Sequence, residues 1–132
     1  MKLKILSLIA MFTLHILADF HLQGLFCNLK QKKWWDDQLT SYSEEQKKLY
    51  SKDYIVGLVL HSFEWAVIFM IPVVLICSNV MYILIALLVN TSIHAFVDDL
   101  KCNKEKINLI QDQSIHAIQI VLTWLVFFTI LY

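Results

Sequence analysis

Long apolar runs, separated by short clusters of charged residues, set the pattern of this chain. Four runs are long enough to be membrane helices, since a helix needs about 20 mostly apolar residues to cross the hydrocarbon core of a bilayer. They cover Leu3–Phe26, Tyr54–Cys77, Val80–Leu100 and Ile107–Tyr132. The pattern predicts an all-α, polytopic membrane protein: a four-transmembrane-helix bundle that forms a single membrane domain over residues 1–132.

The composition agrees with this prediction and excludes some classes of function. The chain is 58% apolar, and its mean hydropathy is +0.61. Its formal net charge is zero, so we expect no nucleic-acid partner. Lys2 and Lys4 precede an apolar run, as in a secretory signal, but no small-x-small cleavage pattern follows, so we interpret the run as a membrane helix. The three cysteines have no metal-binding spacing and are read as small apolar side chains.

The distribution of lysines predicts the orientation of the bundle. Nine lysines lie in residues 27–53 and in the connection after the third helix, which four crossings place on one side of the membrane. The other side has two, Lys2 and Lys4. Because cytoplasmic loops carry an excess of Lys and Arg, we expect both loops to be cytoplasmic and both termini to lie outside a bacterial-type inner membrane.

Two local signals refine the helices. Ser43, with Gln46 three residues later, fits a capping box, so residues 43–51 form either a short helix or a solvated charged loop. Pro72 lies inside the second apolar run and is expected to kink that helix, because proline lacks a backbone N–H donor.

Ionisable residues inside the apolar runs are the main functional signal, because such residues are costly in a membrane and usually functional. Three of the four predicted helices place a His and an Asp four residues apart, on one helical face. These pairs are His15 with Asp19, His94 with Asp98, and Asp112 with His116. The second helix contributes His61.

Because successive helices run in opposite directions, the His residues of these pairs are predicted to share one depth and the Asp residues another. Where the chain runs toward the cytoplasm the order is His then Asp, and where it runs back the order is reversed. Each Asp therefore lies nearer the cytoplasm, with its His one turn deeper. The sequence predicts a shallow layer and a deep layer, composed of Asp19, Asp98 and Asp112 and of His15, His61, His94 and His116.

Neutral imidazoles and carboxylates are the usual ligands of zinc, iron and manganese. We therefore interpret all seven residues as candidate metal ligands for one or two divalent ions, with zinc expected and iron or manganese as alternatives. The ligand set does not choose between one ion and two. The bland alternative is that each His–Asp pair only hydrogen bonds between helices.

Other polar residues complete the candidate site. Glu64 and Gln23 are candidate catalytic groups that would orient water or substrate. Lys30 and Lys101, at the cytoplasmic mouth, are candidates for binding a substrate phosphate, or are simply topology anchors. His21 lies off the His15–Asp19 face and is expected to be structural.

The motif His15-Ile-Leu-Ala-Asp19-Phe20-His21-Leu22-Gln23, followed by Lys30, resembles the HxxxDFxxQ opening of a family of small bacterial and phage membrane proteins. That family is catalogued as domain-of-unknown-function family 3307. The matches continue through His61, His94–Lys101 and Asp112–His116, over nearly the whole chain. The resemblance implies a small membrane protein but no activity. By analogy, it is similar in style to small membrane-bound metal-dependent hydrolases.

Three functions fit these observations. The first is a metal-dependent hydrolase that acts on a lipid or a phosphorylated small molecule. The second is a transporter or channel for a divalent metal or protons, which the apolar outer halves of the second and fourth helices disfavour. The third is a structural or partner-binding subunit, which leaves seven buried ionisable residues unexplained. The expected partner is the lipid bilayer, with a homo-oligomer as a further possibility.

Overall fold

The computed structural model describes residues 2–130, with no account of the side chains of residues 129 and 130. Within that range the protein is all-α and contains no strand. Its α-helices, in chain order, are α1 (Lys2–Ile16), α2 (Phe26–Leu29), α3 (Lys32–Gln38), α4 (Glu44–Tyr50), α5 (Asp53–Phe69), α6 (Ile71–Ile76), α7 (Val80–Cys102) and α8 (Leu109–Leu125). Two π-helical segments, Leu17–Leu22 and Val126–Ile130, continue α1 and α8.

The long helix α5 is the centre of the packing, because it contacts α1, α2, α3 and α7. Its buried residues recur every three or four positions, as expected for one helical face: Gly57, Leu58, His61, Ser62, Trp65, Ala66 and Phe69. Helix α8 closes the bundle against α7 and α1. The apolar core lies beyond the histidines and contains Met11, Trp65, Phe69, Met70, Val73, Ile120, Phe127 and Phe128.

Two of the predicted membrane helices are interrupted. The predicted helix 54–77 ends at Phe69 and resumes as α6 after Met70, because Pro72 has no N–H to donate to the preceding turn. The predicted helix 3–26 changes to π-helix at Leu17 and ends before Gly24, whose φ of +43° lies in the left-handed region that favours glycine. The remaining two agree in position with α7 and α8.

Of the described helices, two are long and apolar enough to cross a membrane: Lys2–Leu22 and Val80–Cys102. Helix α5 stops at the Met70 break, and α8 has 17 residues before its π-helical end. The all-α prediction is confirmed. By length and apolar content, two of the four predicted membrane spans are found among the described helices.

The segment 27–53 is folded rather than a simple loop. It contains α3 and α4 and most of α2. The predicted capping box is confirmed: Ser43 Oγ accepts a hydrogen bond from the Gln46 backbone N–H, and Gln46 Oε1 accepts one from the Ser43 N–H. Helix α4 therefore begins directly after Ser43.

Gly57 allows α2 to approach α5 closely. A Cβ atom at Gly57 would lie 2.5 Å from the carbonyl oxygen of Leu29, a backbone atom that cannot turn aside. The next residue, Lys30, is thereby brought against the interior of the bundle, where its side chain is 6% exposed. This glycine contact thus places a lysine at the candidate site.

Candidate metal centre

The seven predicted His and Asp residues are all buried, and six of them supply atoms to two groups that could hold a metal ion. Each comes from the helix that the sequence analysis assigned to it. Helix α1 and its π-helical continuation contribute His15 and Asp19, α5 contributes His61, α7 contributes His94 and Asp98, and α8 contributes Asp112 and His116. Asp19 lies within the π-helical turn, a feature that is frequent at functional sites.

Four of these residues, Asp19, His61, His94 and Asp98, form the first group. The Nε2 atom of His61 lies 3.5 Å from Asp19 Oδ1 and 3.5 Å from Asp98 Oδ2. The Nε2 atom of His94 lies 3.9 Å and 3.7 Å from the same two oxygens. The two Nε2 atoms are 3.4 Å apart. Two nitrogens and two carboxylate oxygens therefore surround one point.

Three residues, Asp98, Asp112 and His116, form a second group that shares Asp98 with the first. The Nε2 atom of His116 lies 3.5 Å from Asp98 Oδ1 and 3.4 Å from Asp112 Oδ1. His116 Nε2 and Asp112 Oδ1 make no hydrogen bond within the described chain. Buried polar atoms without a hydrogen bond are uncommon in native proteins, and a cation between these two atoms could bind to both.

The spacing of these atoms fits a metal ion. Zinc lies about 2.0–2.2 Å from nitrogen and oxygen ligands, which places the ligands of a tetrahedral ion about 3.3–3.6 Å apart. The measured separations of 3.4–3.9 Å need a contraction of only a few tenths of an ångström. These buried Asp and His groups can hold a metal ion.

Gln113, which the sequence analysis did not single out as functional, holds two of the carboxylates in place. Its Nε2 donates to Asp19 Oδ2 at 2.7 Å and to Asp112 Oδ2 at 2.9 Å. Each of these aspartates thus uses Oδ2 to accept from Gln113 and turns Oδ1 toward the histidines. Its position directly after Asp112 was the only feature of the sequence that pointed to a role in the site. The contact with Asp19 is seen only in the tertiary structure.

His15 lies outside both groups of ligand atoms, because its two ring nitrogens are already used. Trp65 Nε1 donates to His15 Nδ1 at 2.8 Å, so the ring carries its hydrogen on Nε2. That nitrogen lies 3.1 Å from Gln113 Oε1 and donates to it. The structure therefore places His15 as a residue that orients Gln113, whereas the sequence prediction made it a metal ligand.

Trp65 also fixes the orientation of the imidazoles. Its fully buried indole ring stacks on His94 with ring centroids 4.1 Å apart, and His94 stacks on His116 at the same distance. The resulting three-ring stack runs from α5 through α7 to α8. Stacking of this kind restricts the rotation of the two imidazole rings and so orients them before a metal binds.

Both predicted phosphate-binding lysines contact cluster carboxylates. Lys30 Nζ lies 2.7 Å from Asp98 Oδ2, and both side chains are almost fully buried. Lys101 Nζ lies 2.7 Å from Asp112 Oδ2, and its side chain is 29% exposed. These two ammonium groups offset part of the charge of the three buried carboxylates, which would otherwise be strongly disfavoured.

Neither of the two predicted catalytic residues belongs to the two groups of candidate ligands. The Gln23 side chain donates to the backbone carbonyl of Asp19, and its Oε1 has no partner among the described residues. Glu64 is half-buried, and its Oε2 likewise lacks a partner within residues 2–130. His21 is exposed, as expected for a residue off the cluster face.

A second buried polar group lies on the far side of the histidines. Gln119 Nε2 donates to Asn90 Oδ1 at 2.9 Å, and Thr123 Oγ1 donates to the same oxygen at 3.1 Å. These bonds join α7 to α8. They also extend the polar interior beyond the level of His94 and His116.

The fold and the site define an all-α protein whose helices bury a His–Asp cluster able to hold metal. Comparison with known proteins adds no relative: no family model, curated protein or solved structure matches the chain. Its function therefore has to be argued from its own residues.

Replacing Gln113 with Leu is expected to lower the free energy of unfolding by about 1–3 kcal/mol, because buried carboxylate oxygens of Asp19 and Asp112 lose their donor. Ser114→Ala, at the exposed next position of α8, is the control and should change it by less than about 0.5 kcal/mol. Equilibrium unfolding of the purified variants measures both. Equal stabilities for the two variants would show that Gln113 does not hold the carboxylates.

Proposed function

We propose that this chain is a membrane-embedded, metal-dependent hydrolase whose site is the buried His–Asp cluster, acting on a phosphorylated lipid or small molecule. The observation that carries the proposal is the first ligand group, in which each of two imidazole nitrogens lies 3.4–3.9 Å from the other nitrogen and from two carboxylate oxygens. Zinc is the proposed ion, with iron and manganese as alternatives. Membership of the family whose HxxxDFxxQ motif the chain resembles is part of the same proposal.

The arrangement of apolar surface supports a membrane location. The charged cluster lies inside the bundle, whereas large apolar side chains lie outside on all four long helices. Examples are Leu6 (61% exposed) on α1, Val56 (60%) on α5, Leu88 (70%) on α7 and Ile118 (59%) on α8. Exposed apolar surface on every face is unusual for a soluble monomer and is the expected exterior of a bilayer protein. The proposal therefore includes α5 with α6, and α8 with its π-helical end, as spans.

The orientation follows from the lysines. The segment 27–53 and the segment 101–106, which covers the end of α7 and the connection to α8, contain nine of the eleven lysines, which favours a cytoplasmic position for both. Both termini then lie outside a bacterial-type inner membrane. The cluster lies in the cytoplasmic half of the bundle, within reach of the inner leaflet. The same apolar exterior offers a surface for self-association.

The chemistry assigned to the site is hydrolysis of a phosphoester bond. A bound divalent ion supplies Lewis acidity and lowers the pKa of a water molecule toward neutrality. The chain supplies a rigid set of ligands and, in Lys101, a cation at the partly exposed edge of the cluster. Glu64 and Gln23, each with a buried oxygen that lacks a partner among the described residues, are the proposed groups for orienting water or substrate.

A lipid is favoured over a soluble substrate by a cleft of about 490 Å³ between α7 and α8. Most of its lining is apolar and faces the surface that the proposal assigns to lipid. Ile93 and Ile115, which line it, directly precede His94 and His116 along their helices. An acyl chain in this cleft would place a headgroup near the metal cluster.

Transport of a divalent metal or protons is the second candidate. The hydrogen-bonded group Asn90, Gln119 and Thr123 favours it, because these residues continue the polar interior past the histidines. Against it, the fully buried side chains Phe69, Met70 and Phe128 fill the core beyond that level. A conduction path needs polar groups along its full length, so hydrolysis is preferred.

The proposed orientation is tested with the native cysteines Cys27 and Cys77, which it places on opposite sides of the membrane. Two single-cysteine chains are made, Cys77→Ser with Cys102→Ser, and Cys27→Ser with Cys102→Ser. A membrane-impermeant maleimide added to intact spheroplasts should label Cys77 and leave Cys27 unmodified until the membrane is permeabilised. The reverse pattern would overturn the orientation, and labelling of both in intact spheroplasts would overturn the four-span arrangement.

The metal and the activity are tested together. Purified wild-type protein should retain about one or more equivalents of zinc, and Asp19→Asn should bind it at least about 10-fold more weakly because the ligand loses its negative charge. Release of inorganic phosphate from phosphatidic acid in mixed micelles should fall in parallel. His21→Gln, an exposed position in the same π-helical turn, is the matched control and should retain both properties.

Glycerol 3-phosphate serves as the soluble counterpart of phosphatidic acid in the same assay. Faster hydrolysis of the lipid supports the acyl-chain cleft, and faster hydrolysis of the soluble ester assigns the site to a small phosphorylated compound. Absence of metal from wild-type protein purified with added zinc, manganese or iron would refute the metal site. Bound metal without phosphate release from either ester would refute the hydrolase assignment and favour transport.

A further inference from the structure

We propose that the cluster binds two metal ions, with Asp98 as the carboxylate that bridges them. The first ion would be held by Asp19, His61, His94 and Asp98, and the second by Asp98, Asp112 and His116. This inference rests on the proposed function and deepens it, because it assigns different roles to the two positions.

The division of the Asp98 carboxylate is the first observation. Its Oδ2 lies 3.5 Å from His61 Nε2 and 3.7 Å from His94 Nε2, whereas its Oδ1 lies 3.5 Å from His116 Nε2. The two oxygens thus face different groups of ligands. One carboxylate that presents one oxygen to each group is the arrangement that joins paired ions, which in two-metal sites lie about 3.5–4 Å apart.

The second, independent observation concerns the ligand atoms of Asp112 and His116. His116 Nε2 and Asp112 Oδ1 belong to residues with 0% exposure, lie 3.4 Å apart, and make no hydrogen bond within residues 2–130. The other oxygen of Asp112 is fully engaged by Lys101 and Gln113. Helix α8 therefore places one carboxylate oxygen and one imidazole nitrogen 3.4 Å apart, a separation at which one cation could bind to both.

The number of ligands distinguishes the two positions. The first group offers four protein ligands, the complete set of a closed tetrahedral site. The second offers three, the number found in catalytic zinc sites, which keep a fourth position for water or substrate. The ion at Asp98, Asp112 and His116 is therefore assigned to the reaction. The ion at the first position is assigned to holding α1, α5 and α7 together.

Charge indicates what the completed centre would attract. Two divalent ions together with Lys30 and Lys101 exceed the three aspartates by three positive charges. A buried excess of this size is strongly disfavoured unless an anion enters. Lys101, whose side chain is 29% exposed beside Asp112, marks the side on which that anion would meet the open position. A phosphate ester supplies the required charge.

Manganese loading followed by electron paramagnetic resonance tests the bridge directly. Wild-type protein should bind two Mn²⁺ per chain and give the spectrum of an exchange-coupled pair. Asp112→Asn should bind one Mn²⁺, at the first position, and give an uncoupled six-line spectrum. Asp99→Asn is the matched control on α7, because Asp99 pairs with Lys104 outside the cluster and its loss should leave the coupled pair intact.

The outcomes separate this inference from the proposed function. One uncoupled Mn²⁺ in wild-type protein, or a coupled pair that survives in Asp112→Asn, overturns the bridge and leaves a single-metal hydrolase. No Mn²⁺ or Zn²⁺ in any chain overturns both. The single ion retained by Asp112→Asn shows that the variant is folded, and if that variant does not fold, the wild-type spectrum and stoichiometry alone decide.

Discussion

The whole structure depends on keeping three aspartates buried in an otherwise apolar bundle. Asp19, Asp98 and Asp112 come from three different helices and are at most 5% exposed. An uncompensated carboxylate in such surroundings is very unfavourable. The bundle compensates with Gln113, which holds two of the three, and with Lys30 and Lys101, which each pair with one. Each of the three carboxylates also has an oxygen close to a histidine nitrogen. A cation would be most strongly favoured between these oxygens and nitrogens.

This compensation links distant parts of the chain to the site. Lys30 reaches Asp98 only because Gly57 allows α2 to lie against α5. Trp65 connects the apolar core to the cluster, since it stacks on His94 and donates to His15, which in turn contacts Gln113. A change in core packing at α5 would therefore alter the positions of carboxylates on α1 and α8. The residues that stabilise the fold and the residues of the site therefore belong to one network of contacts.

Local spacing predicted most of the residues that meet at the cluster. An Asp four residues from a His must share its helical face, and alternating helix directions align the pairs in depth. Asp19, Asp98, Asp112, His61, His94 and His116 accordingly converge. The diversion of His15 to Trp65 could not be predicted in this way, because it depends on a contact between residues 50 positions apart. The same is true of Gln113 with Asp19 and of the burial of Lys30, which are long-range contacts without a periodic signature.

Helix continuity was predicted less well than helix position. Apolar content alone does not show where a helix stops, so the break at Met70 and the π-helical turn at Leu17–Leu22 were not located by the apolar runs, although Pro72 marked the first. The π-helical turn contains Asp19, a candidate ligand, and the break at Met70 lies in the apolar core. Irregular helices at such positions are common near functional sites.

The most direct test of a metal centre built from His and Asp is X-ray absorption spectroscopy at the zinc edge of the zinc-loaded protein. The account predicts a first shell of nitrogen and oxygen only, at about 2.0–2.2 Å, with the multiple scattering of imidazole and no sulfur. A sulfur shell at about 2.3 Å would assign the zinc to cysteine instead, and a spectrum of hydrated zinc without imidazole would contradict the centre altogether.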